Sequence, residues 1–182
     1  MYIRKLFVNG LAASLLLVGT AIAADGPDRS SEQATSDASM ATKIKSALIS
    51  NEATKARQID VEVYKGQVQL NGFVDTAEQM AAAGRVAAQI AGEKNVKNNL
   101  ALQQGERTAG QVVDDGMITA KVKAALIGDS RTKAHQIEVK TREGIVQLGG
   151  FVDSPTAKAA ASEVAESVSG VKTVQNQLSI RN

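Results

Sequence analysis

The stretch Val68-Gln69-Leu70-Asn71-Gly72-Phe73-Val74-Asp75 returns 78 residues later as Val146-Gln147-Leu148-Gly149-Gly150-Phe151-Val152-Asp153. Its apolar residues alternate, as in a strand with one face on a core. The repetition extends outward without a gap. Lys43-Ile44-Lys45-Ser46-Ala47-Leu48-Ile49 falls on Lys121-Val122-Lys123-Ala124-Ala125-Leu126-Ile127, and Val96, Asn98 and Leu100 fall on Val174, Asn176 and Leu178. Of the 63 positions from 40 to 102, 29 are identical to their counterparts. The chain is therefore a duplication. The period is too long and the copies too few for a solenoid, so each copy is expected to be a small domain. Positions kept in both copies should serve the fold. Positions that differ should be free, or specialised in one copy.

Each unit reads as helix, two strands, helix, strand. Met40, Ile44, Ala47 and Leu48 recur at helical spacing, matched by Ile118, Val122, Ala125 and Leu126. Asp37 and Asp115 are candidate N-caps for these helices. Ile59, Val61 and Val63 alternate with polar residues, and Lys65-Gly66 and Glu143-Gly144 are turn signals into the return strand. Thr76 with Gln79 reads as a capping box, and Ser154-Pro155 as a cap followed by proline at the first helical position. Gly92 and Gly170 should end the second helices. The expected fold class is α+β: two tandem αββαβ domains, each a three-stranded mixed sheet with two helices on one face. The Ala-rich second helices can lie close to the sheet, which makes each core thin. Gly72 and Gly150 read as room for those helices.

Composition narrows the function. The 182 residues include no Cys, one His and five aromatic side chains. A disulfide framework, a thiolate zinc site and a Cys nucleophile are excluded. A Ser-His-Asp triad is improbable with a single His. Five aromatics are too few for a base-stacking platform.

The N-terminus reads as a secretory signal peptide over residues 1–23. Arg4 and Lys5 precede an apolar run from Leu6 to Val18, and Ala21 and Ala23 fit the small-x-small cleavage rule. The run is short for a spanning helix, so no transmembrane span is expected after cleavage. The full chain has 21 basic and 19 acidic side chains, and losing Arg4 and Lys5 leaves 19 of each. A neutral, exported chain disfavours nucleic acid as a partner. Residues 24–36, rich in Asp, Ser, Glu and Gln, read as a disordered linker. The domains are expected at 37–104 and 115–182, joined by a short acidic linker at 105–114.

The ordered set Asp115-x-x-Ile118-x-x-x-Val122-x-x-Ala125-Leu126, Ile137-x-Val139, Gly144-Ile145-Val146-Gln147-Leu148-x-Gly150-x-Val152 and Val174-x-Asn176-x-Leu178 resembles the BON domain. The first copy keeps most of it, with Met40 and Asp37 at the Ile118 and Asp115 places. The resemblance covers about 130 of the 182 residues. It implies αββαβ domains, a periplasmic location, a part in osmotic or envelope stress, no enzymatic activity and no cofactor. It also implies either binding to phospholipid surfaces or chaperone-like holding of unfolded or outer-membrane client proteins.

No catalytic or metal-binding residue stands out. His135 has Arg57 as its counterpart, so no paired metal site is built there. The candidate lipid-binding residues are Met117, Lys121 and Lys123, with Lys43 and Lys45 in the first copy. Four lysines at about 1 kcal/mol each near anionic lipid reach only millimolar affinity. An inserted apolar group is therefore needed, and Met117 is the candidate. Phe73 and Phe151 follow the strand glycines and should face away from the helices, as contacts with a client or between the domains. The expected function is non-enzymatic binding of anionic phospholipid surfaces in the periplasm, with a client-binding chaperone as the alternative. The sequence leaves the oligomeric state open.

Overall fold

The computed structural model describes residues 29–54, 58–103, 105 and 107–181. The signal segment with Ala21 and Ala23, and the basic Lys55-Ala56-Arg57, lie outside the described residues. The first domain comprises α1 (Ser31–Ser50), β1 (Ile59–Tyr64), β2 (Gln67–Val74), α2 (Ala77–Ala91) and β3 (Val96–Leu102). The second comprises α3 (Ala109–Gly128), β4 (Ile137–Arg142), β5 (Ile145–Val152), α4 (Pro155–Glu166), β6 (Thr173–Asn176) and β7 (Ser179–Ile180). In each domain the hairpin is antiparallel and the last strand joins its second strand in parallel, so both sheets are mixed. The last strand of the second domain is broken in two where the Asn176 side chain accepts from the Leu178 N–H.

Both helices of each domain cover one face of its sheet. Ile44 and Leu48 of α1, Ala83 and Ala87 of α2, and Val61, Val68 and Leu70 of the sheet form one core. Val122, Leu126, Ala161, Ala165, Val139 and Leu148 form its counterpart.

The first helices begin earlier than expected. Ser30 caps α1 and Thr108 caps α3, the latter in a full capping box with Gln111. Residues 31–36 and 109–114, expected as linker, are therefore helical turns. Asp37 and Asp115 are not N-caps. They are buried on the inner side of the helices and grip the hairpin turns. Asp37 accepts from the Lys65 and Gly66 N–H groups at 2.8 and 3.0 Å, and Asp115 from Glu143 and Gly144 at 2.9 and 3.1 Å. Both central turn residues have positive φ, the two-residue turn that suits a twisted hairpin. An arginine backs each clamp, Arg29 at 3.2 Å and Arg107 at 3.6 Å.

Gly72 and Gly150 do not make room for the helices. They sit at φ +129° and +115°, and a Cβ there would lie on the carbonyl oxygens of Gln58 and Gln136. The residue leading into the first strand of each hairpin, not the Ala-rich helix, excludes a side chain.

The second face of each sheet is covered by the other sheet. Along β2, Val68, Leu70 and Val74 face the helices while Gln69, Asn71 and Phe73 face the sister domain, and all six are buried. The contacts follow an approximate two-fold exchange. The Gln69 amide pairs with the backbone of Gly150, donating at 3.2 Å and accepting at 3.1 Å. Its counterpart Gln147 accepts from the Gly72 N–H and donates to the Asn99 carbonyl. Near the axis Asn71 meets its own counterpart, Gly149, where a Cβ would lie 2.4 Å from Asn71. Arg142–Asp75 at 3.0 Å and Lys140–Asp60 at 2.9 Å close the rim. The thin cores expected for isolated domains are thus backed by a second, polar layer.

Candidate functional site

α3 presents two opposite faces. Asp115, Ile118, Val122 and Leu126 turn inward. Val113, Met117, Ala120, Ala124 and Ile127 follow at steps of four, three, four and three, and all are exposed. At 100° per residue these five lie within an arc of about 80° and span about 21 Å. Val113 is 61%, Met117 51% and Ile127 75% exposed. Lys121 and Lys123 project from opposite flanks of this stripe, each about 80° from its centre.

The first copy decides what the stripe means. The counterparts on α1 are Thr35, Ser39, Thr42, Ser46 and Ile49, also exposed. Four of these five carry hydroxyls, so the fold does not require apolar residues there. The apolar stripe is a specialisation of the second domain.

Two contacts tie α3 to its sheet. The Asp115 clamp ties its second turn to the β4–β5 turn, and Lys123 pairs with Glu138 of β4 at 3.0 Å. Beside Met117 and Lys121 opens a groove of about 410 Å³, bordered by Glu143, Gly170 and Lys172. Gly170 closes its floor against Ile118, which lies 3.0 Å from where a Cβ would stand.

The expected site residues separate in space. Met117, on the stripe, and Lys121, on its flank, both line the groove. Lys123 lies on the other flank. Lys43 and Lys45 are exposed on α1 beside a hydroxyl stripe rather than an apolar one. Burial pushes the Glu62 carboxyl above its ordinary range, and the charge of Lys45 opposes that shift. Phe73 is buried at 5% exposure in the face between the sheets. Phe151 stacks on Tyr64 of the first domain, ring centroids 5.5 Å apart. Lys133 pairs with Asp153 at 2.6 Å, and that hydrogen bond holds the Asp153 carboxyl below the usual range.

Val113, Ala120, Ala124 and Ile127 were not among the expected site residues. Comparing the exposed positions of the two copies, rather than the core positions, is the signal that finds them. Among the described residues no group of three or more His, Cys, Asp or Glu side chains could hold a metal, and no helix is long and apolar enough to cross a membrane.

The BON domain model matches residues 36–104 and 114–182. The chain is 32% identical over 143 residues to the osmotically-inducible protein Y of Escherichia coli, covering 78% of this chain and 71% of that protein. It is 29% identical over 171 residues to the outer membrane lipoprotein DolP of Haemophilus influenzae, covering 93% of this chain and 88% of the lipoprotein. It is 36% identical over 118 residues to the 21 kDa hemolysin of Actinobacillus pleuropneumoniae, covering 64% and 59%. Each half of the duplication matches on its own, and the chain belongs to the BON domain family, carrying the domain twice.

Proposed function

We propose that this protein is a non-enzymatic periplasmic protein of the envelope-stress response that docks on anionic phospholipid surfaces through α3. The observation that carries the reading is the exposed stripe of Val113, Met117 and Ile127 between Lys121 and Lys123, against hydroxyl residues at four of the five matching positions of α1. An apolar stripe flanked by lysines suits a helix lying in the plane of a membrane interface. The names of two relatives, an osmotically-inducible protein and an outer membrane lipoprotein, support the envelope setting.

The magnitudes fit reversible docking. Three half-exposed apolar side chains contribute about 1 kcal/mol each on burial. Lys121 adds about 1 kcal/mol beside anionic headgroups, while the charge of Lys123 is met by Glu138. The sum of about 4 kcal/mol corresponds to a dissociation constant on the order of 10⁻³ M. The chaperone alternative drew on thin domains and on exposed Phe73, Phe151 and Met117; Phe73 is buried between the domains and Phe151 packs on Tyr64, which leaves it Met117 as its exposed group.

The test is flotation of the chain with phosphatidylglycerol-containing and purely zwitterionic liposomes at physiological salt. The variant is Val113→Thr with Met117→Ser, which installs the residues that α1 tolerates at the same places. Anionic-selective flotation that falls about 30-fold in partition constant is expected, equivalent to about 2 kcal/mol of lost burial. Flotation unchanged by the two substitutions would remove this face from the reading.

A further inference from the structure

A second groove, of about 530 Å³, opens where the domains meet, on the side opposite the Arg142–Asp75 rim of the approximate two-fold. Its polar side chains are Lys97 of β3, Lys158 of α4, Ser179 of β7 and Gln67 and Gln69 of β2; Phe151 and Ile180 supply apolar wall. Among the described residues no acidic side chain lines it. That separates it from the groove beside α3, which Asp114, Asp115 and Glu143 border.

Among the described residues the two ammonium groups meet only neutral oxygens. Lys158 Nζ donates to the Leu178 carbonyl at 2.6 Å, and Lys97 Nζ to Ser179 Oγ at 3.5 Å. Ser179 Oγ also accepts from Gln69 Nε2 at 2.6 Å. With two N–H groups directed at its oxygen, the serine hydroxyl is left to donate outward. Two uncompensated positive charges and a hydroxyl donor therefore converge at one end of a partly apolar groove.

The duplication argues that this arrangement is not demanded by the fold. The matching junction on the other side of the approximate two-fold has Gln175 for Lys97, Met80 for Lys158 and Ala101 for Ser179. The surroundings are kept: Gln147, Phe73 and Leu100 stand for Gln69, Phe151 and Leu178. Besides the anion-binding groups, only Gln67 against Ile145 and Ile180 against Leu102 differ in the lining.

We infer that the junction groove is a binding site for an anionic amphiphile, a single carboxylate or phosphate head on an apolar tail. Lys97, Lys158 and Ser179 take the head, and Phe151 and Ile180 take the tail. The volume falls in the range of small-ligand sites. The site exists only while the domains are docked, because Lys97 and Gln69 belong to one and Lys158 and Ser179 to the other.

Isothermal titration of the full chain tests this with dodecanoate, dodecyl phosphate, dodecyl maltoside and inorganic phosphate, each below its micellar concentration. The variants are Lys97→Gln, and Lys97→Gln with Lys158→Met, which copy the residues of the sister junction. Dodecanoate or dodecyl phosphate should bind, and the stronger of the two identifies the head. Each lost lysine should weaken binding about tenfold or more. Equal binding of dodecyl maltoside, equal binding of inorganic phosphate, or undiminished binding by the double variant would each overturn the site. The double variant leaves α3 untouched, so its liposome flotation stays at the unsubstituted level, and the two sites fail or stand separately.

Discussion

Replacing Gly149 with alanine would place a methyl group 2.4 Å from Cγ and Nδ2 of Asn71, deep between the two sheets. Gly149 is not held at positive φ, so the backbone accepts alanine and the whole cost arises at Asn71. Asn71 is 2% exposed and has nowhere to retreat. Moving it strains its hydrogen bonds to Gln69 at 3.4 Å and from Asn99 at 3.1 Å. Overpacking of this kind costs about 1–3 kcal/mol, and each neutral hydrogen bond about 1 kcal/mol. Alanine in place of glycine returns less than about 1 kcal/mol through the unfolded chain. A net loss of about 2 kcal/mol is expected, read as a lower urea midpoint for the full chain. The decisive measurement is the same substitution on Asn71→Gly, where the obstructing side chain is gone. There Gly149→Ala should be neutral or stabilising, a coupling of about 2 kcal/mol in the double-mutant cycle. Equal cost in both backgrounds would mean that the two residues do not meet, and the face-to-face packing of the sheets would be wrong.

Two further substitutions probe the clamps and the surface charge. Asp115→Ala removes two buried hydrogen bonds to a charged acceptor and should destabilise the chain by about 3 kcal/mol, measured by urea unfolding; a loss below about 1 kcal/mol would contradict the clamp. The Asp153 carboxyl titrates below its unfolded value because Lys133 donates to it. Its stabilising contribution is thus present above the unfolded aspartate pKa and is lost as pH falls through the folded one. Lys133→Met should return the Asp153 pKa toward the ordinary range in a carboxyl NMR titration and flatten the acid limb of the stability curve, and an unmoved Asp153 would refute the pairing.

The parts of the fold that were legible in the sequence are those written in local periodicity. The helical spacing of Ile44 and Leu48, the alternation in β1 and the turn glycines Gly66 and Gly144 act within a few residues. Asp37 and Asp115 were misread because an acidic residue before an apolar helical run is what an N-cap looks like. Their true partners, the turn N–H groups, lie 28 and 29 residues away. The second buried face carried a signal that periodicity discounts. Gln69 and Gln147 are polar, sit at positions turned away from the helices, and are identical in both copies. A glutamine retained on a solvated strand face has no reason to stay fixed through a duplication; one that bonds the sister backbone does.

The comparison of copies also has a physical limit, and Asn71 with Gly149 shows where it lies. Elsewhere a difference between the copies marks freedom or specialisation: hydroxyls against Val113 and Met117 on the first helices, Gln175 and Met80 against Lys97 and Lys158 at the junctions. Close to an approximate two-fold axis, a residue packs against its own counterpart. Two asparagines cannot share that space, since even a Cβ on Gly149 overlaps Asn71. The pair must therefore differ for the sheets to close, although neither residue is free. Gene duplication produces identical faces, and the loss of identity at this position is what lets two such faces pack with one side chain between them. A chain carrying asparagine at both positions would keep both helical cores and lose the docking of its domains, and with it the junction groove.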